Sequence, residues 1–154
     1  MDGTLYLGDR LFDFTNELLD TIKRNGGRYM FMTNNSSKSV ADYIKKLDKL
    51  GVKADYEDFI TSSQATAYYL KKHHKNCTLY VCGTTSLKEE LIKEGFKITE
   101  NTEETQCIVM GFDTELTFKK LEDACIILCD ENVDYIATNP DLVCPTEFGS
   151  VPDC

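Results

Sequence analysis

The sequence predicts an α/β protein built on largely parallel sheets. Three observations predict it: short apolar runs alternate with amphipathic helical patterns, those patterns are long enough to be crossovers, and glycines close several of them. Phe14, Leu18, Leu19 and Ile22 fall on one helical face, which Gly26-Gly27 ends. Tyr29-Met30-Phe31-Met32 reads as a buried strand. Val40, Ile44, Leu47 and Leu50 make the next helical stripe, closed by Gly51. Phe59-Ile60 is a short strand, followed by a helix through Ala65, Tyr68, Tyr69 and Leu70. The alternation then repeats. Leu79-Tyr80-Val81-Cys82 is a strand, Gly83 a turn, and Leu87, Leu91 and Ile92 lie on a helix stopped by Gly95. Cys107-Ile108-Val109-Met110 is a strand, Leu121, Ala124, Cys125 and Leu128 form a helical face, and Tyr135-Ile136-Ala137-Thr138 is the last strand.

A chain of 154 residues suits one ordinary domain or two small ones. The soft boundary falls near His73-His74-Lys75-Asn76, dividing residues 1–76 from 77–154. Paired histidines at a helix end read as solvated, or as partners of the helix dipole, before they read as metal ligands. The net charge of −9 argues against nucleic acid as a partner. No apolar run approaches the ~20 residues that span a bilayer, and Met1–Tyr6 is too polar for a signal peptide. The expected setting is the cytoplasm. The seven cysteines, from Cys77 to Cys154, include no Cys-x-x-Cys pair. Cys125 and Cys129 share a helical face, and the set reads as buried small hydrophobes in a reducing interior.

Two stretches carry chemistry. Asp2-Gly3-Thr4 is an acidic residue at a turn. Thr33-Asn34-Asn35-Ser36-Ser37-Lys38-Ser39 begins where one strand ends and a helix is about to start. In a parallel sheet that carboxyl edge is where ligands bind. Thr33 and Asn34 offer uncharged donors, and backbone N–H groups opening the next helix add positive potential, which suits a phosphoryl group. An N-cap and turn would use the same residue types.

Together these stretches resemble the haloacid dehalogenase superfamily, and within it the class IIA, NagD-like or p-nitrophenylphosphatase-like phosphatases. Asp2-Gly3-Thr4-Leu5-Tyr6 resembles the tail of the motif Asp-x-Asp-Gly-Thr, and Thr33-Asn34-Asn35-Ser36 resembles the second motif. Thr61–Ala67, Gly111-Phe112-Asp113, Thr117–Leu121 and Thr138-Asn139-Pro140-Asp141 extend the likeness along the chain. The resemblance implies a Rossmann-like parallel-sheet core, partial here over residues 1–76, and an inserted α/β cap of the C2 type over 77–154. It implies a Mg2+-dependent hydrolase of small phosphorylated metabolites that works through a phosphoaspartyl intermediate. Asp2 would be the general acid–base and bind Mg2+ through its backbone carbonyl, while Thr33, Asn34 and Asn35 would hold the phosphoryl group. Met1 stands where the motif has x, so the attacking Asp would precede this chain, and the lysine and acidic motifs that follow the cap do not occur. The chain as written is therefore expected to lack activity. Asn139, Asp141 and the loop Cys144–Phe148 follow a strand where a lid could face substrate. The resemblance leaves room for a homodimer through the cap. The alternative is a non-catalytic phosphate- or nucleotide-binding α/β protein, although no glycine-rich phosphate loop occurs.

Overall fold

The computed structural model describes residues 1–146 and 148–152, without the side chain of Pro145. Glu147 of the expected lid loop, and Cys154, lie outside the described residues. The chain opens with an antiparallel pair, β1 (Tyr6–Leu7) and β2 (Arg10–Leu11), followed by α1 (Thr15–Arg24). Next, β3 (Phe31–Thr33) and β4 (Phe59–Thr61) pair in parallel across α2 (Val40–Lys49). Then come α3 (Ser62–His73), β5 (Thr78–Cys82), α4 (Thr85–Lys93), β6 (Lys97–Ile98), β7 (Cys107–Met110), α5 (Phe118–Ile127) and β8 (Asp134–Ala137). Their strands form a second, separate parallel sheet in the order β6-β5-β7-β8. An antiparallel pair follows it, β9 (Val143–Thr146) with β10 (Gly149–Pro152).

Burial on both faces explains why β5 and β7 are apolar without a break. Leu79, Val81, Cys107 and Val109 face Leu87 and Leu91 of α4, joined by Ala67 and Leu70 of α3. Tyr80, Cys82 and Ile108 face Ala124 and Ile127 of α5. The first sheet has its own core of Tyr6, Leu19, Phe31, Val40, Tyr43, Leu47 and Phe59. Thus α3 follows β4 directly, yet packs against the four-stranded sheet.

Several helical faces differ from the sequence reading. Phe14 is the N-cap of α1 and is exposed, as is Leu18. Helix α3 buries Ser62, Ser63, Thr66, Ala67 and Leu70 and exposes Tyr68 and Tyr69. Its inner face is small and polar because it must lie close to other backbone: Ser62 Oγ donates to Asn34 O at 2.8 Å. Helix α5 turns Asp123, Ala124 and Ile127 inward, leaving Leu121, Leu128, Cys125 and Cys129 exposed. The cause is polar. The Tyr80 hydroxyl donates to Asp123 Oδ2 at 3.2 Å, and Lys119 pairs with the other carboxylate oxygen. Burial, then the Asp123 charge, pushes the ionisation of Tyr80 far above its ordinary range. His73 stacks on Tyr69, and His74 Nδ1 lies 3.1 Å from Asp134 Oδ2, so each imidazole has a neighbour of its own.

One ion pair fastens the ends of two strands. Lys120 Nζ donates to Asp113 Oδ2 at 2.7 Å, to Gly83 O at 3.0 Å and to Glu115 O at 3.1 Å. All three ammonium donors are thereby used, and the Asp113 side chain is fully buried.

Candidate active site

The first residues leave the edge of β3 and turn sharply. The Met1 amino group donates to Met32 O at 3.2 Å, and its proton affinity is lowered by burial. Thr4 N and Leu5 N both donate to Met1 O at 3.0 Å, and Gly3 takes φ +69°, a conformation that favours glycine. This turn aims Asp2 inward. Asp2 Oδ2 accepts from the Tyr6 hydroxyl at 3.1 Å, and Oδ1 lies 3.5 Å from Lys46 Nζ. Lys46 also sits 4.2 Å from the centroid of the Tyr6 ring. Burial first, and the Asp2 charge second, keeps the fully buried Tyr6 protonated.

Thr33 ends β3, and the serine- and asparagine-rich stretch after it divides its labour. Thr33 Oγ1 accepts from Asn35 N at 3.3 Å, and Asn35 Oδ1 accepts from Ser37 N at 2.8 Å and Ser37 Oγ at 2.7 Å. Asn34 Nδ2 donates to Asp141 Oδ2, while Asn34 O accepts from Asn139 Nδ2 at 3.2 Å. Ser39 is the N-cap of α2, in a reciprocal pair with Asp42. The expected anion site at the start of α2 is therefore occupied by the protein itself: Asp42 answers Ser39, and Glu90 Oε1 accepts from Val40 N at 3.1 Å.

The four residues singled out from the sequence share one cavity. Asp2, Thr33, Asn34 and Asn35 line about 240 Å³, closed by Asp141, Val143 and Cys144. Asn139 stands behind Asn34. Tyr6, which holds Asp2, closed the Asp2-Gly3-Thr4-Leu5-Tyr6 stretch read from the sequence, whereas Lys46 carried no signal there. A larger cleft, about 590 Å³, lies elsewhere among Lys71, Lys75, Phe96 and Lys97. There Lys71 is paired with Glu94, and Lys97 with Glu104 at 3.6 Å.

The loop after β3 also forms the seam between the two sheets. Ser36, fully buried, accepts from Phe112 N at 3.0 Å and from Thr138 Oγ1 at 2.9 Å. Thr84 Oγ1 donates to Ser37 O at 3.1 Å. Gly111 leaves no room for a side chain: a Cβ there would stand 2.8 Å from Ser36 Oγ and 2.7 Å from Leu87 Cδ2. Gly111→Ala is expected to cost about 1–3 kcal/mol, read as a lower urea midpoint. An unchanged midpoint would mean that the seam yields freely.

The pattern of haloacid dehalogenase-like hydrolases matches residues 1–97. The chain belongs to this family. It is 33% identical over 152 residues to an acid sugar phosphatase of Staphylococcus epidermidis, covering 99% of this chain and 58% of that one. It is 31% identical to the 5'-nucleotidase YutF of Bacillus subtilis over the same shares. The solved 4-nitrophenylphosphatase of Thermotoga maritima superposes with TM-score 0.91 at 39% identity, over 99% of this chain and 57% of that one. The chain thus spans a little under three fifths of the length of these relatives. The haloacid dehalogenase-like fold accounts for the parallel sheets.

Among the described residues, the side chains do not make a magnesium site on their own. Mg2+ demands near-octahedral oxygen coordination. Among the described residues no group of three or more His, Cys, Asp or Glu side chains is placed to hold a metal. The Asp2 carboxylate already has Tyr6 and Lys46 beside it.

Proposed function

We propose that this chain carries part of the active site of a phosphomonoester hydrolase for a small phosphorylated metabolite. The observation that carries this reading is the meeting of Asp2, Thr33, Asn34 and Asn35 at one cavity. The names of the similar proteins, which act on sugar phosphates, nucleotides and nitrophenyl phosphate, support it. Asp2 would give its proton to the leaving oxygen and then take one from the hydrolytic water. Thr33, Asn34 and Asn35 would orient the phosphoryl oxygens, and positioning is much of what phosphoryl transfer needs. A phosphoaspartyl route needs a second, attacking carboxylate. Asp141 is the other one at the cavity, and its Oδ2 is engaged by Asn34. Mg2+ remains the proposed cofactor, with the Asp2 carbonyl as one ligand among others that this set of residues does not group. No helix among the described residues is long and apolar enough to cross a membrane, and a cytoplasmic setting belongs to the same proposal. So do the division at residues 76 and 77 and a homodimer through the cap, for which α5 leaves Phe118 and Leu121 exposed. The second reading, a phosphate-binding protein without catalysis, is favoured by the engagement of both carboxylates.

Titrating the 154-residue chain with inorganic phosphate should move the amide resonances of residues 33–35 in a saturable way. With Mg2+ and p-nitrophenyl phosphate the same chain should show no turnover above background. Saturable shifts confined to other residues would remove the phosphate cradle from the proposal, and steady turnover would show that an attacking group is present.

A further inference from the structure

The two oxygens of the Asp2 carboxylate have different surroundings. Oδ2 accepts from the Tyr6 hydroxyl at 3.1 Å. Tyr6 is fully buried, in the core that Leu19, Phe31, Val40 and Tyr43 share. Its main chain is fixed too: Tyr6 O accepts from Gly3 N at 2.8 Å, which closes the turn after Asp2. Oδ1 has Lys46 Nζ beside it at 3.5 Å, longer than an ordinary N–H···O bond. That ammonium rests over the Tyr6 ring. The Asp2 side chain keeps 33% of its surface exposed, and it lines the cavity with Thr33, Asn34 and Asn35.

We propose that Tyr6 is a positioning residue for Asp2: its hydroxyl ties Oδ2 to the core and so makes Oδ1 the oxygen that passes protons at the cavity. The inference rests on the phosphomonoester hydrolase reading. A phenol has one hydrogen to donate, and Asp2 Oδ2 is its acceptor among the described residues. A proton on Oδ2 would turn that hydrogen into an apolar core, and a buried donor left without an acceptor is costly. The proton therefore sits on Oδ1. As the bond from phosphorus to the leaving oxygen breaks, its electron pair stays on that oxygen, which takes the Oδ1 proton and departs as the alcohol. The phosphoryl group passes to the attacking carboxylate that this route needs, and Asp2 is left as the anion. A water oxygen then bonds to phosphorus while the bond to that carboxylate breaks, and the proton lost by the water returns to Oδ1. Tyr6 keeps its own hydrogen throughout. An alkyl ester depends on this proton, because an alkoxide is a poor leaving group. Nitrophenolate leaves with little help from it.

Two measurements test the idea. In the 154-residue chain, NMR couplings between Hα and Hβ of Asp2 report how its side chain is held. The wild type should show a single rotamer. Tyr6→Phe, which keeps the ring in the core, should show averaged couplings. In a chain lengthened on both sides to the span of its relatives, kcat/KM reports the step in which the alcohol leaves. There Tyr6→Phe should lower kcat/KM for n-propyl phosphate by roughly 10- to 100-fold, the loss of one hydrogen bond to a charged group. For p-nitrophenyl phosphate the loss should be markedly smaller, whereas a merely structural role would lower both alike. Averaged couplings in the wild type, or a single rotamer in Tyr6→Phe, overturn the tie. Equal losses on the two esters, or none, overturn the placement of the proton. No turnover by the lengthened wild type overturns the phosphatase reading and the proton's path with it, and the couplings then still decide the tie.

Discussion

Lys120→Met is expected to remove about 3–5 kcal/mol of stability, because it strands a buried carboxylate. Asp113 has no solvent to turn to, and its other oxygen accepts only the Glu115 N–H at 2.9 Å. The same substitution frees Gly83 O and Glu115 O, which Lys120 now satisfies. Domains of this size hold together by about 5–15 kcal/mol, so the loss should be plain in the urea midpoint. Removing both charges, as Lys120→Met with Asp113→Leu, should recover much of it, since an apolar pair avoids the stranded charge. A Lys120→Met midpoint equal to wild type would show that water reaches Asp113.

Asp2→Asn carries the largest expected loss of activity. In a chain lengthened on both sides to the span of its relatives, turnover should fall by roughly 10²–10⁴-fold, the usual contribution of a placed acid–base group. The fold should survive. A carboxamide still accepts from the Tyr6 hydroxyl, and the weakened partner is Lys46, at a long 3.5 Å and partly exposed, an arrangement worth about 1 kcal/mol. Measuring kcat alongside the urea midpoint separates the two effects. Full activity in the variant would reduce Asp2 to a turn residue.

What could be read from the sequence depended on where the apolar pattern was complete. β5 and β7 were legible because both of their faces are buried, so Leu79–Cys82 and Cys107–Met110 run apolar without interruption. The inner faces of α3 and α5 were not, because serine, threonine and an aspartate occupy them and leave Tyr68 and Leu121 outside. β1, β2 and β6 are only two residues long, too short for a period of two to show. At the candidate site, Asp2 and Thr33 were found through turn chemistry and motif. Lys46, Glu90 and Ser36 act on partners 44, 50 and 76 positions away, beyond any local window.

The bonds made by Ser36 also dictate an order of events. They join residues 76 and 102 positions apart, whereas β3–β4 and β5–β7 each pair residues 28 positions apart, as Phe31 with Phe59 and Leu79 with Cys107. Closing a longer loop costs more chain entropy, and distant pairings form late. During folding the two sheets can each complete their ladders before the loop after β3 meets Phe112 and Thr138. Under stress the sequence reverses, and hydrogen exchange would meet two intact halves, swinging about their junction, before it met an unfolded chain.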